Sequence, residues 1–203
     1  MTFLYKVEIL CNKYYHLLSR DKIIVNLNHL PVNCNQLILI TMAGGKINTG
    51  AITHVMMNLA NYKDKIILLD LNYTLVENSK GVYPYTKELI EGESYRLWLV
   101  QALKQNKVII ITVRNKQWQE LTLRCLYDAT QWQPDDSYFP VHFEQGSAPS
   151  TKLKGLQSYV FPKYGNEPEK YLALESNPRT RAMYTELGIE ACSQEGFRDI
   201  LST

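Results

Sequence analysis

The sequence predicts an α/β protein, a three-layer Rossmann-like parallel sheet with helices on both faces and no large cap domain. Three observations predict it. From Lys65 onward, short apolar runs alternate with segments of helical periodicity, the pattern of strands buried on both faces and joined by crossover helices. Several of these runs end on a polar or ionisable residue, and the carboxyl ends of strands are where such folds gather their ligands. The chain of 203 residues is 45% hydrophobic and 21% charged, enough for one domain with an appendage and incompatible with a disordered or collagen-like chain.

Residues 1–62 read as an N-terminal extension. They carry five basic residues against two acidic ones, a balance of +3, which leaves −1 for residues 63–203. Eight asparagines fall between Asn12 and Asn61, and the apolar runs Ile23 to Leu27 and Leu37 to Ile40 are interrupted by Pro31 and Gly44-Gly45. Such runs suit strands, but asparagine and glycine oppose long regular elements. Gly44-Gly45-Lys46 lacks the leading glycine of a phosphate loop, since Ile40 holds its place, and Ile47 replaces the required Ser or Thr. A nucleotide-binding P-loop is therefore rejected.

Residues 63–203 read as the α/β domain. Ile66 to Leu69 is a strand, Glu91 to Gln105 a helix with Tyr95, Leu97, Trp98, Val100 and Leu103 on a broad apolar face, and Val108 to Thr112 a second strand. A helix from about Gln117 to Ala129, a short strand near Val141 to Phe143 and a helix after Ser150 follow. The chain then reads as a strand Tyr171 to Leu174, a helix from about Arg179 to Leu187 and a last strand near Ile189 to Cys192. Trp98, Trp118 and Trp132 read as core or half-buried residues.

Four scattered cysteines (Cys11, Cys34, Cys125, Cys192) and four unclustered histidines indicate neither a disulfide framework nor a structural zinc. No apolar run reaches the roughly 18 residues of a membrane span, and the first residues mix charge into their apolar stretch. The expectation is a cytoplasmic protein without a membrane partner; the oligomeric state is open.

The strand ends carry the chemical signal. Asp70 follows the first strand, Thr112 ends the second, Lys152 and Lys154 lie in a helix, and Glu175 follows the strand Tyr171 to Leu174. A carboxylate nucleophile, a hydroxyl, an ammonium and a second carboxylate together suit a phosphoryl group. Asp70 would attack phosphorus, Thr112 and a lysine would hold the non-bridging oxygens, and Glu175 with Asp70 would hold Mg²⁺.

In this order the motifs resemble the haloacid dehalogenase superfamily, whose phosphatases begin with a strand ending D-x-D-x-T, here Asp70-Leu71-Asn72-Tyr73-Thr74. Within it the chain is similar to the 3′-phosphatase domain of polynucleotide kinase, through G-V-Y-P-Y after the first motif, T-V-R after the second strand, S-T-K before the third helix and R-A-M-Y-T-E-L-G-I-E-A-C near the end. The resemblance covers about residues 63 to 203. It implies a magnesium-dependent phosphohydrolase with Asp70, Asn72, Thr112 and Lys152 in the catalytic positions and Thr74 and Arg114 in substrate binding. Asp70, Glu175 and the backbone carbonyl of Asn72 would be the metal ligands, and Lys152 is the better third-motif lysine than Lys154.

Two residues depart from the pattern. Asn72 stands where the family has the aspartate that protonates the leaving group and then activates water, and an amide does neither. Glu175-Ser176 stands where the polynucleotide phosphatases have two adjacent aspartates. General acid–base help is worth about 10² to 10⁴ in rate, so the expected enzyme is slow on poor leaving groups.

The segments after the first and second motifs are too short for a folded cap, so the site is expected to be open, with Lys80, Lys87, Tyr83 and Tyr85 beside it. An open site suits a macromolecular end such as a nucleic-acid terminus, although a balance of −1 gives no duplex-wide electrostatic footprint. Three readings stay open: a weakened phosphohydrolase acting on phosphorylated nucleic-acid ends or nucleotides, a catalytically silent module binding a phosphorylated partner, and an unrelated α/β interaction domain.

Overall fold

The computed structural model describes residues 15–19, 22–26, 37–41, 62–80, 85–141 and 147–202. It divides into two compact units, Met1–Ile52 and Thr53–Thr203. The first holds β1 (Tyr15–Ser19), β2 (Lys22–Asn26) and β3 (Leu37–Thr41), paired antiparallel in the order β1-β2-β3. The last two match the apolar runs in the sequence. The Gly44-Gly45-Lys46 segment lies outside the described residues.

The second unit is the α/β domain. Its strands are β4 (Ile66–Leu69), β5 (Lys107–Ile111), β6 (Asp136–Tyr138), β7 (Tyr171–Leu174) and β8 (Glu190–Cys192), all parallel and in the order β6-β5-β4-β7-β8. Side chains alternate along each strand, so one face presents Ile67, Leu69, Val108, Ile110, Leu172 and Leu174 and the other Leu68, Ile109, Ile111, Tyr171 and Ala173. All eleven are essentially buried. Each fully buried aliphatic side chain contributes about 1.5 to 3 kcal/mol, which is why these runs form strands although they lack the polar alternation of a one-sided sheet.

Helices cover both faces. α1 (Lys87–Glu91) contributes the buried Ile90; α2 (Leu97–Leu103) and α3 (Gln119–Thr130) bring Leu99, Val100, Leu103 and Leu126 to the first face. α4 (Ala148–Gly155) runs on through a π-helical turn, Leu156–Val160, into α5 (Phe161–Tyr164), and Leu156 and Val160 pack on the second face. α6 (Pro178–Glu186) adds Met183 and Tyr184 there, and α7 (Gln194–Ser202) returns to the first face with Phe197. Among the described residues no helix is long and apolar enough to cross a membrane.

Three elements differ from the sequence reading. The third strand is β6, five residues before Val141; Val141 itself is 58% exposed and unpaired in the sheet. A three-residue strand with one aromatic carries little signal, and Val-His-Phe nearby is the more strand-like text. The helix expected over Glu91 to Gln105 is confined to α2, because Glu91 ends α1, Gly92 caps it, and Tyr95 bridges back to Val76 before α2 begins. The helix α7 was not expected. Tyr62, at the entry to β4, is tied in by its hydroxyl donating to Glu190 at 3.0 Å and by an edge-on contact with Phe197.

The strand order sets the place for chemistry. From β4 the chain moves to β5 and β6 on one side, then to β7 and β8 on the other. The connections diverge between β4 and β7, and that crevice at the carboxyl ends is the binding position of open α/β sheets.

Candidate active site

Asp70 and Glu175 flank this crevice. Leu69 pairs with Leu174 at the last step of the β4–β7 ladder, so Asp70 and Glu175 each follow by one residue. The Asp70 amide still donates to the Leu174 carbonyl at 2.9 Å, and the Glu175 amide to Cys192 at 3.0 Å. Both side chains are therefore held by strand geometry.

Lys152 reaches them from α4. Ser147 caps that helix by accepting from the Ser150 amide, and Gly155 lets it close against β6, because a Cβ there would stand 2.6 Å from the Tyr138 ring. The Lys152 ammonium, only 2% exposed, donates to Asp70 Oδ1 and to Glu175 Oε2, each at 2.5 Å. Burial works against the Lys152 charge, but the two carboxylates outweigh it and raise its pKa above the ordinary value. Burial pushes the Glu175 carboxyl up, and the neighbouring Asp70 charge adds to that against the pull of Lys152.

Thr74 is fully buried. Its hydroxyl donates to Asp70 Oδ2 at 2.7 Å and accepts from the Ser176 amide at 2.9 Å. The Ser176 hydroxyl lies 3.2 Å from the Asn72 carbonyl and 3.4 Å from Asp70 Oδ2. Arg181 of α6 fixes the same loop by donating to the Glu175 and Ser176 carbonyls at 2.8 and 2.7 Å, and the Asn177 amide donates to Glu175 Oε1 at 2.9 Å.

Both ends of the Asn72 amide are engaged: Oδ1 accepts from Arg114 Nη2 at 2.9 Å, and Nδ2 donates to the Tyr85 hydroxyl. Arg114 is fully buried, forked onto Glu93 at 2.5 and 3.1 Å, bonded to the Thr122 hydroxyl at 2.9 Å and stacked over the Tyr85 ring. Its charge is thus balanced inside the protein, with Asn72 as its outlet toward the site. Thr112 is buried one residue past β5, where its hydroxyl accepts from the Arg114 amide at 3.2 Å.

The structure thus brings Asp70, Asn72, Thr74, Lys152 and Glu175 into one bonded network, with Arg114 joined through Asn72 and Thr112 joined to Arg114. Lys154 is exposed on the same helix. Lys80 and Tyr85 line a cleft of about 100 Å³ together with Glu93; Lys87 pairs with Glu91 on α1, and Tyr83 lies outside the described residues. Sequence reasoning missed Glu93 and Thr122, the partners of Arg114, because no motif or spacing marks them. It counted Ser176 only as a missing acid, and its adjacency to Glu175 was the available signal for a place in the network.

For a hard cation the donor set is chemically suitable. The Asp70 carboxylate and the Asn72 carbonyl are hard oxygen donors, and the Ser176 hydroxyl lies 3.4 and 3.2 Å from them. Glu175 is turned instead to Lys152 and Asn177. So small a set of protein oxygen donors suits Mg²⁺ shared with a phosphate better than an all-protein cage.

No family model and no curated protein matches the chain. Solved structures do match. A chain in the structure of the Pnkp1/Rnl/Hen1 RNA repair complex is 17% identical with a TM-score of 0.52, over 64% of this chain and 42% of that one. A chain in a second structure of the Pnkp1/Rnl/Hen1 complex is 20% identical with a TM-score of 0.54, over 64% and 45%. That likeness establishes the fold. The matched region spans less than half the length of either neighbour.

Proposed function

We propose that the α/β domain is a phosphohydrolase of the haloacid dehalogenase type, magnesium-dependent and slow, acting on phosphorylated nucleic-acid ends. The observation that carries this reading is the Asp70–Lys152–Glu175 arrangement at the β4–β7 crevice, with Lys152 at 2.5 Å from both carboxylates. Two buried acids on one ammonium are an expensive arrangement for stability alone, since isosteric apolar residues serve a core as well or better. The shared fold of chains from an RNA repair complex supports nucleic-acid ends as the substrate class.

Asp70 attacks phosphorus, the ester P–O bond breaks, and the phosphoryl group is carried on the Asp70 carboxylate until water removes it. Thr74 orients the nucleophile through Oδ2, and Lys152 offsets the charge that would otherwise repel an incoming phosphate. Bound Mg²⁺, on Asp70 and the Asn72 carbonyl, would add further charge neutralisation. Asn72 has no proton to give the leaving oxygen, so that oxygen leaves unaided or takes its proton from solvent. Good leaving groups should therefore react and alkyl phosphates barely.

The engagement of both ends of Asn72 favours a second reading, a silent module that binds a phosphorylated partner through the same network. Magnesium-dependent turnover of an aryl phosphate separates the two. The enzyme reading expects turnover that chelation and Asp70→Asn both abolish; phosphate binding without any turnover leaves the binding module.

A further inference from the structure

Tyr73 stands between Asn72, whose carbonyl faces the site, and Thr74, which holds Asp70. Its φ is 61° and it is 45% exposed. Left-handed backbone is uncommon outside Gly, Asn and Asp, and disfavoured for a bulky residue. The other such non-glycine residue among those described, Gln131, simply ends α3. Tyr73 ends no helix.

The turn that imposes this conformation is heavily tied. Leu75 and Val76 amides both donate to the Leu71 carbonyl, at 3.0 and 2.8 Å, and the Arg96 amide donates to the Leu75 carbonyl at 2.9 Å. Arg96 Nη2 also lies 3.4 Å from the Tyr73 carbonyl. Strained residues persist where neighbouring structure over-determines them, and such places cluster at ligand sites. The side chain takes no part in that bonding, and Tyr73 is 45% exposed one position in sequence from both Asn72 and Thr74.

Resting on the phosphohydrolase reading, we propose that Tyr73 is a stacking platform for the terminal base of a single-stranded nucleic acid whose end phosphate occupies the Asp70 site. An exposed aromatic face accepts any base. The balance of −1 over residues 63–203 leaves this domain little general attraction for a polyanion, so its own affinity must come from local contacts of this kind. A phosphopeptide has no base to stack there.

The test is equilibrium binding of a short single-stranded oligonucleotide ending in a non-hydrolysable phosphonate, with and without the terminal base, to the full chain. Removing the base should weaken binding about 5- to 150-fold, the range for one base–aromatic stack. Tyr73→Asn tolerates the backbone and should erase the difference between the two oligonucleotides, while Tyr73→Trp should keep it. Inorganic phosphate should compete equally well against all three proteins. Equal binding of based and abasic oligonucleotides by the wild-type chain overturns this inference alone, as does a phosphopeptide bound more tightly than the based oligonucleotide. Failure of every phosphate or phosphonate probe to bind overturns the functional reading and this inference with it.

Discussion

Arg114 Nη2 donates to Asn72 Oδ1 at 2.9 Å, so the Asn72 amide is held by a guanidinium already forked onto Glu93. An aspartate at this position would keep one oxygen on Arg114 and gain the Tyr85 hydroxyl as a donor to the other.

Asn72→Asp should therefore fold without difficulty, and because Arg114 and the Tyr85 hydroxyl favour its ionised form, turnover of alkyl phosphates should rise toward the roughly 10² to 10⁴ of general acid–base catalysis as pH falls. Aryl phosphates should gain less, because their leaving group departs unaided. The added negative charge near Asp70 calls for a magnesium titration in the assay. No gain at any magnesium concentration would mean that Asn72 is not what limits the rate.

Lys152 is the counter-charge for two buried acids, and Lys152→Met leaves both without it. Breaking a buried ion pair by removing one partner costs about 3 to 5 kcal/mol, so urea unfolding should show a loss of that order. Adding Asp70→Asn and Glu175→Gln to Lys152→Met should recover a good part of it. A Lys152→Met chain as stable as wild type would contradict the charge pairing described here.

At the far end of the sheet, Asp136 accepts from Lys163 at 2.6 Å, Tyr159 at 2.7 Å and Tyr164 at 2.8 Å. Burial works to raise its pKa, but these donors outweigh it and bring the carboxyl down to about 2. A group depressed on folding adds stability above its unfolded value of about 4, and that stability is lost as pH falls through about 2. The contribution should be on the order of 1 kcal/mol, since Lys163 is partly solvated. Thermal melts below pH 4 should therefore fall more steeply for wild type than for Asp136→Asn, which should be the less stable of the two near neutrality. Parallel acid limbs would contradict this.

Much of the sheet was legible because fully buried strands have few alternatives. Ile66–Leu69 and Tyr171–Leu174 have the bounds their apolar runs suggest. β6 was not legible, because register with Ile109–Ile111, and not its own apolarity, makes Asp136–Tyr138 a strand. For the site, Asp70, Thr112 and Glu175 could be singled out because each ends or follows a strand, and Lys152 is preferred to Lys154 only through the register of the family resemblance. The Glu93–Arg114 fork could not, since it joins residues from a loop and a strand end that only the folded chain brings together. Tyr73 shows a further limit: its backbone angle is imposed by bonds among Leu71, Leu75, Val76 and Arg96, and its own residue type argues against that angle.

The most direct measurement follows from the missing acid–base group. On the proposed mechanism, Asp70 would take the phosphoryl group of an aryl phosphate without help, while Asn72, an amide, offers no base to activate the water that must remove it. Rapid mixing with magnesium should give a burst of aryl alcohol near one equivalent per chain, then slow release, with the phosphoryl group found on the peptide containing Asp70 after acid quenching. Absence of any burst or turnover above that of Asp70→Asn would contradict Asp70 as the nucleophile.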